Sequence, residues 1–279
     1  MKLSTIILAL TTTDKMFKMT LNCIESLMDS EKEINMEIIV VESNKNYNDL
    51  PFKYPEFVKV IIPELDFNFH KFLNIGIKEA KGDFIALCNN DLLFHKNWFK
   101  EIEKIANEKS KVLSFSPGYH IKNQNNLNFE LGYKVRTHIM GWCIVVRNNL
   151  FDKIGDLDDT FDFNYADNDY ALTLKSKNIK HAVVFNSYVE HLERKMEAKE
   201  TTKLTSYDLM IRKAELELSH IPNYIFTKEY EYLLLDKKGL SDNIKFHKKW
   251  GSPNLLYRKN KIADLLIRFH LGFLNQIFL

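Results

Sequence analysis

Residues 82–95, GDFIALCNNDLLFH, form the stretch that decides the fold. Its opening turn leads into five apolar residues, 84–88, which predict a buried strand. The run breaks at Asn89-Asn90-Asp91 and resumes at residues 92–94. Open α/β sheets bind ligands at the carboxyl ends of buried strands, so the polar triplet marks a candidate site. A buried Asp91 needs a positive partner, such as a divalent cation bridging to phosphate. The alternative is an Asn-rich turn.

Strand-like and helix-like segments alternate on both sides of this stretch. Short apolar runs predict buried strands at residues 3–10, 37–41, 58–62, 112–115, 141–147 and 182–189. Apolar residues at helical spacing predict helices after residue 14 and at residues 68–80, 97–108, 149–154 and 170–177. The Asn-rich residues 119–134 are predicted to be a surface loop. The alternation predicts an α/β fold with a largely parallel sheet and helices on both faces.

Composition and length narrow the class of protein. The chain has 279 residues, 45% hydrophobic and 27% charged, which suits one α/β domain with an appendage or two small domains. A formal charge of +2 argues against nucleic-acid binding. Cys23, Cys88 and Cys143 are widely spaced and odd in number, which favours a reducing cytosol over a disulfide scaffold. The apolar run at residues 6–10 is too short for a signal peptide, and we find no run that would span a bilayer.

The pattern becomes helical and more charged near residue 195, where we predict a domain boundary. Helices are predicted at residues 196–219 and 224–235, and a third helix is predicted to open at Ser241. Residues 241–270 contain seven basic residues and two acids. One apolar stripe of this region comprises Ile262, Leu265, Phe269 and Phe273. Such a helix lies on an anionic bilayer, or packs on the rest of the chain or on a second subunit.

Four segments, in order along the chain, carry a family resemblance. Residues 37–44, EIIVVESN, are similar to a strand ending in VVD-N-S, and residues 74–83, NIGIKEAKGD, to N-x-G-x-x-x-A-x-G-D. Residues 87–91, LCNND, occupy the place of a D-x-D metal motif. GWCIVVR at 141–147, YADND at 165–169 and then His191 resemble a block of the form G-x-x-x-x-x-R … E-D-x-D-L with a later histidine. Together they resemble the nucleotide-diphosphosugar transferases of the GT-A fold, especially glycosyltransferase family 2.

The resemblance implies a Rossmann-like GT-A domain over residues 1–195 that binds a nucleotide sugar and catalyses its transfer. Residues 196–279 would then form a helical extension for acceptor, membrane or oligomer contacts. The sequence departs from the family at Asn89, which replaces the first acid of the metal motif, and at Ala166, which replaces a frequent Glu. Asn68 stands where the family approaches its second motif through glycine, and is predicted to take a left-handed conformation.

The resemblance assigns Asp91 and His191 as ligands of a metal cofactor, Mn²⁺ or Mg²⁺. An imidazole beside a carboxylate suits Mn²⁺ better. From the residues alone, a partly exposed histidine at the end of a strand is the favoured explanation of His191, and the metal role comes from the resemblance. Asp167 is the candidate general base, and Asp169 is the alternative. An ordinary Asp, with a pKa of about 3.9, is too weak a base at neutral pH, but burial beside a second acid raises the pKa. The alternative is that both acids cap the helix predicted to begin near Tyr170.

The nucleotide is expected at neighbouring strand ends, where Glu42 would accept hydrogen bonds from the base. The predicted nucleotide-binding residues are Thr11, Thr12, Glu42, Asn74 and Asn90. Asn74 would reach the ribose or hold a loop, and turn chemistry is the alternative for each of these positions. Trp142 and His138 precede the acceptor-side block and are predicted acceptor contacts, although an indole is more often part of a core.

These features predict an inverting, metal-dependent glycosyltransferase of the hexosyltransferase type. Its partners would be a nucleotide-diphosphate sugar and a glycan or lipid-linked hydroxyl acceptor, in polysaccharide or glycoconjugate synthesis. We expect a cytoplasmic location, with a peripheral contact at the inner face of a membrane as one option. The alternative is a non-catalytic GT-A-like module that binds sugar nucleotides or glycans. A dinucleotide-dependent oxidoreductase is disfavoured, because Thr11-Thr12-Thr13 stands where G-x-G-x-x-G would follow the first strand.

Overall fold

Ten short strands, most of them apolar, build two sheets in the computed structural model. The model describes residues 2–118, 127–192, 210–211, 213–214, 219, 237–251, 261–272 and 274. The strands are β1 (Lys2–Ala9), β2 (Asn35–Glu42), β3 (Val58–Ile61), β4 (Phe84–Asn89), β5 (Leu92–Phe94), β6 (Val112–Pro117), β7 (Phe129–Leu131), β8 (Cys143–Arg147), β9 (Lys180–Val184) and β10 (Val189–His191).

The large sheet has the order β3-β2-β1-β4-β8-β6-β9-β7. Its first four strands are parallel, and β8 enters antiparallel between β4 and β6. Strands β5 and β10 form a separate antiparallel pair. Because β8 runs against β4, the residues that precede β8 lie beside the carboxyl end of β4. The mostly parallel α/β architecture confirms the prediction from the alternating pattern.

Helices cover both faces of the large sheet. They are α1 (Asp14–Ser30), α2 (Phe69–Glu79), α3 (Trp98–Glu108), α4 (Phe151–Ile154), α5 (Ala166–Ser176), α6 (Lys237–Trp250) and α7 (Lys261–Arg268). The Thr13 side chain accepts a hydrogen bond from the Met16 amide and so caps α1. Asn68 is extended rather than left-handed, because its side chain accepts from the Lys71 amide and caps α2.

The core has two layers, one on each face of the large sheet. Along β4, Phe84, Ala86 and Cys88 face one way, into a cluster that contains residues of α1 and α3. Ile85 and Leu87 face the other way, into a cluster that contains residues of α2 and α5. Such alternation places successive side chains of a central strand in different layers. This explains why the run at residues 84–88 is apolar at every position.

Several predicted elements have other boundaries in the structure. Residues 129–131 are not loop but the edge strand β7, which pairs with β9 although two of its three residues are exposed. The predicted strand 182–189 is two strands in different sheets, separated by a turn at residues 185–186. Helix α5 begins at Ala166 rather than near Tyr170, so Asp167 and Asp169 lie in its first turn. Acidic side chains there interact favourably with the positive end of the helix dipole.

The chain divides into two compact units, residues 1–159 with 166–193, and residues 160–165 with 194–279. The first unit thus ends two residues before the predicted boundary, and residues 160–165 join the second. The predicted helix 224–235 and most of the predicted helix 196–219 fall outside the described residues. The third helix begins at residue 237 instead of Ser241. In the parts of the chain that the structure describes, no helix is long and apolar enough to cross a bilayer.

Candidate active site

The small sheet brings Asp91 and His191 together. Asp91 directly precedes β5, and His191 ends β10, where it pairs with Leu92. The Leu192 amide then donates to the Asp91 carbonyl over 2.8 Å. Two residues that are 100 positions apart in the sequence therefore become neighbours because two three-residue strands pair. The predicted metal ligands lie side by side.

The geometry of this pair fits a cation. The His191 Nε2 atom lies 3.2 Å from Asp91 Oδ1, and their side chains are only 18% and 16% exposed. Although the distance is that of an ion pair, Asp91 Oδ1 is buried and accepts no hydrogen bond. A carboxylate oxygen and an imidazole nitrogen are both ligands that a divalent cation such as Mn²⁺ accepts, and these two are close enough together to share one. Among the described residues, no group of three or more His, Cys, Asp or Glu side chains forms a metal site, so further ligands would come from elsewhere.

Trp142 holds the imidazole in place. Its ring stacks on the His191 ring at a centroid distance of 5.4 Å and an interplanar angle of 13°. The Trp142 carbonyl accepts a hydrogen bond from the Asn89 amide over 2.9 Å, which ties it to the end of β4. The indole is partly exposed. Its position on the ring of a candidate metal ligand was not predicted.

Asp167 lies against Gly141, the residue that precedes Trp142. A Cβ atom on Gly141 would be 3.0 Å from Asp167 Oδ2 and from its Cβ, so the carboxyl group occupies the space that this glycine leaves open. Consecutive residues of one turn therefore touch Asp167 on one side and His191 on the other. Asp167 and His191 thus both lie next to the turn at residues 141–142.

The surroundings of Asp167 suit a base. The residue is partly exposed, yet its carboxyl group lies deep enough among protein atoms that burial raises its pKa. The Asn168 amide, which donates to Asp167 Oδ1 over 2.9 Å, and the positive charge of Arg136 lower that pKa in part. Arg136 is exposed at the tip of a tight turn with φ of 61°. Its main-chain amide donates to Ile139 O over 2.8 Å.

The neighbouring Asp169 is buried, at 1% exposure, and interacts electrostatically with His70. Burial lowers the pKa of His70, which favours the neutral imidazole. The carbonyl of Asp158 can only accept, so His70 Nδ1 donates to it over 2.7 Å. Sequence reasoning missed both His70 and Arg136. A histidine in the first turn of a helix and an arginine in a polar loop give no signal of their own.

Glu42 lies at the carboxyl end of β2 and is fully buried. Its Oε1 atom accepts from the Thr11 and Asn44 amides, each over 2.9 Å. Its Oε2 atom is buried and has no hydrogen-bond partner. The Thr11 hydroxyl lies 2.8 Å from the Tyr54 hydroxyl. One carboxylate oxygen thus fixes two strand ends, while the other is a buried acceptor without a hydrogen-bond partner.

An aromatic cluster adjoins Thr11. Tyr54 stacks on Tyr47 at 5.4 Å and contacts Phe17 at 5.2 Å, and Phe17 stacks on Phe52 at 5.1 Å. Burial raises the pKa of Tyr54 to about 12, so its hydroxyl stays protonated. The alternating pattern of strands and helices gave no sign of this cluster.

Three other predicted site residues make contacts within the protein. The Thr12 hydroxyl donates to Met16 Sδ over 2.9 Å, and Asn90 Nδ2 donates to Thr20 Oγ1 over 2.9 Å. Both polar atoms of the Asn74 side chain bind the backbone of Leu157, at 2.8 and 2.9 Å, so Asn74 holds a loop. Its contact with a ribose stays a prediction.

His138 is buried at 7% exposure, and its Nε2 atom lies 3.3 Å from Glu130 Oε1. The ring also lies against Gly132, where a Cβ atom would meet it. Its predicted contact with an acceptor stays a prediction, and the described contacts tie it to the loop between β7 and β8.

Comparison with known proteins gives one family. A model described as glycosyl transferase family 2 matches residues 8–178, from β1 to the end of α5, and so covers more than half of the chain. No curated protein matches the chain.

Proposed function

Since the chain belongs to glycosyl transferase family 2, whose members transfer sugars from nucleotide-sugar donors, we propose that it is an inverting, metal-dependent hexosyltransferase. The acceptor is a hydroxyl group of a glycan or lipid-linked glycan, in polysaccharide or glycoconjugate synthesis. The location is the cytoplasm. The pathway is argued from the family alone, because a fold does not fix a function. The location is argued from the cysteines, whose number and spacing favour a reducing compartment.

One observation supports this proposal above all others. Gly141 and Trp142, adjacent in one turn, touch the candidate base Asp167 and the candidate metal ligand His191. A site that must neutralise a departing diphosphate and deprotonate a hydroxyl needs both groups at one rim of the sheet.

Asp91 and His191 are the residues that would hold the cation. A divalent metal supplies Lewis-acid stabilisation of negative charge on the departing diphosphate. The free Oε2 atom of Glu42 accepts a hydrogen bond from the nucleotide base. Asp167 accepts the proton of the acceptor hydroxyl, whose oxygen then attacks the anomeric carbon from the face opposite the diphosphate. That displacement inverts the anomeric centre. A carboxyl pKa raised by burial brings the base closer to neutral pH, where proton transfer is most efficient.

A panel of sugar nucleotides tests the proposal with the full chain, with Mn²⁺ and with a chelator. Release of the nucleoside diphosphate is measured, and proton NMR assigns the anomer of any product. We expect metal-dependent release with one donor. Asp167→Asn should lower turnover by about 10²–10⁴-fold, because it removes the base. In that variant the donor should still raise the melting temperature. Asp91→Asn should weaken the metal-dependent part of donor binding.

Asp29→Asn is the matched control, because the substitution makes the same change of charge at a residue that is exposed on α1. It should leave turnover unchanged. Equal turnover of Asp167→Asn and the unsubstituted chain would overturn the assigned base. A donor that raises the melting temperature but is never cleaved would favour the non-catalytic binding module.

A further inference from the structure

Helix α7 presents an apolar stripe to solvent. Ile262, Leu265 and Phe269 are 57%, 54% and 66% exposed. Their spacing of three and four residues places them along one side of the helix and of the turn that follows it. We call these three residues the C-terminal stripe. Phe273, predicted as its fourth member, is outside the described residues.

A different face of the same helix is already buried. Ile267 has no exposed surface, and it lies roughly 140° around the helix axis from Ile262 by the α-helical repeat. The segment after α7 also packs against α6, since a Cβ atom on Gly272 would be 3.0 Å from the Trp250 backbone. A surface helix usually has one apolar face, which covers a core. In α7 the C-terminal stripe is a second apolar face, directed away from the buried Ile267.

Positive charge accompanies the stripe. Lys261 and Arg268 are both exposed, and the helical repeat places both along one border of it. His270 is exposed immediately after Phe269. The one acid of the helix, Asp264, lies on the side away from the stripe by the same repeat. Long basic side chains that border an apolar face reach lipid phosphates while the apolar residues enter the acyl region.

The exposed area argues against a second copy of the chain as the occupant. Three side chains, each a little over half exposed, offer a few hundred Å², well below the roughly 800 Å² per partner of a standard interface. A membrane surface needs no complementary protein patch. It binds an apolar face through the buried apolar area and binds basic residues through their attraction to anionic lipids. We propose that the C-terminal stripe docks α7 in the plane of a bilayer surface that contains anionic lipids.

Vesicle sedimentation of the full chain tests this docking. Vesicles of phosphatidylcholine with an equal share of phosphatidylglycerol are compared with vesicles of phosphatidylcholine alone. We expect the partition coefficient to be at least about tenfold higher on the anionic vesicles and to fall with added salt. The triple variant Ile262→Ser, Leu265→Ser, Phe269→Ser should lose at least about tenfold on the anionic vesicles.

The matched control is Met28→Ser, Phe57→Ser, Leu65→Ser, which removes three exposed apolar side chains of the first unit, at 40%, 58% and 43% exposure. It should partition as the unsubstituted chain does. Circular dichroism and the melting temperature of each variant establish that it is folded. As a second variant, Phe269→Trp keeps the apolar side chain, and lipids brominated in the acyl chain should quench the added indole.

Three results would overturn the proposal. The first is failure of the unsubstituted chain to bind anionic vesicles. The second is equal binding of the stripe variant and the unsubstituted chain. The third is light scattering that finds a dimer for the unsubstituted chain and a monomer for the stripe variant, with no vesicle binding, which would assign the stripe to a second copy.

Discussion

At the residue scale, the site depends on atoms that the protein leaves without hydrogen-bond partners. Glu42 Oε2 is buried and accepts no hydrogen bond, which costs about 1–3 kcal/mol for a buried acceptor. Asp91 Oδ1 is also buried and accepts no hydrogen bond, and His191 Nε2 lies 3.2 Å from it. A folded protein can retain such an unsatisfied group where a bound ligand or ion is its partner. The two atoms lie at the ends of β4 and β2, the strands that flank β1. The proposed function places a cation at Asp91 Oδ1 and a nucleotide base at Glu42 Oε2.

The charge of Arg136 tunes the candidate base, and this predicts a pH effect. Arg136 lowers the pKa of Asp167, against the larger effect of burial. Arg136→Gln should raise the Asp167 pKa. Because the base acts when deprotonated, the acidic limb of the kcat profile should move to higher pH, and activity should be lost first at low pH. At a pH above both limbs the two enzymes should turn over alike.

The control is Arg136→Lys, which keeps the positive charge in the same turn and should retain the original limb. If Gln and Lys variants shift the limb equally, the effect belongs to the shape of the turn rather than to its charge. If neither shifts it, the limb reports a group other than Asp167.

Sequence reasoning reached some site residues and not others. Asp91, His191 and Asp167 became candidates because their spacing resembles family motifs, and their roles stay predictions. Arg136 could not be predicted, because its effect on Asp167 depends on a turn that puts it in the left-handed region, and nothing in its neighbours favours that conformation over others. Asn74 had two possible roles, and only coordinates reveal that Leu157 takes both of its polar atoms.

At the element scale, apolar runs predicted the strands of the core and failed at the short ones. The runs at residues 37–41 and 84–88 are apolar at nearly every position because helices cover both faces of the sheet. Strands β5, β7 and β10 have three residues each, too few for a period to be recognised. The β5–β10 pairing nevertheless joins the two candidate metal ligands, so the sequence could place each ligand at a strand end but not explain what brings them together.

A buried polar chain ties α5 to the large sheet. The Tyr170 hydroxyl lies 2.7 Å from Ser114 Oγ, which lies 2.8 Å from His181 Nδ1. His181 Nε2 donates over 2.9 Å to the His138 carbonyl, which can only accept. Burial lowers the pKa of His181 to about 3, so the folded protein holds it neutral. The network thus links β6, β9 and the first turns of α5 through a neutral histidine.

This network predicts acid sensitivity. An unfolded histidine has a pKa of about 6.5, so below that pH the unfolded state binds a proton that the folded state refuses. The contribution of His181 is fully present above pH 6.5 and is lost as the pH falls toward the folded pKa. Below pH 6.5 the free energy of unfolding should fall by about 1.4 kcal/mol per pH unit through this histidine, which amounts to about 2 kcal/mol at pH 5. Urea unfolding at a series of pH values should show a shallower dependence for His181→Gln.

The control for this measurement is His95→Gln, at a histidine whose side chain is 39% exposed. That variant keeps His181 and should keep the steeper dependence. The same slope for His181→Gln and the unsubstituted chain would mean that His181 is protonated in the folded state, and the neutral network would then be wrong.

At the scale of the whole molecule, the boundary of the family match differs from the boundary of the compact units. The match runs through residue 178, yet residues 160–165 within it belong to the second unit. Asp242 of α6 explains this: it is fully buried, and its carboxylate accepts from the amides of Asp162, Phe163 and Asn164 over 3.0–3.1 Å. Phe246 adds ring contacts with Phe161 and Tyr165. Neither contact could be predicted, because the partners lie about 80 residues apart and no pattern joins them.

Removing the Asp242 carboxylate should therefore release residues 160–165. Asp242→Ala leaves three backbone amides without their acceptor, and Lys245, 3.5 Å from Asp242 Oδ1, loses a charged partner. We expect a loss of about 2–4 kcal/mol in the stability of the second unit. Hydrogen exchange measured by NMR should be faster at the amides of residues 162–164, while the exchange rates of amides in β1 and β4 stay unchanged.

Asp242→Asn keeps one oxygen acceptor and should have a smaller effect. Lys248→Ala, at an exposed position of the same helix, should have none. Unchanged protection of the three amides in Asp242→Ala would show that Asp242 does not attach this segment to the second unit.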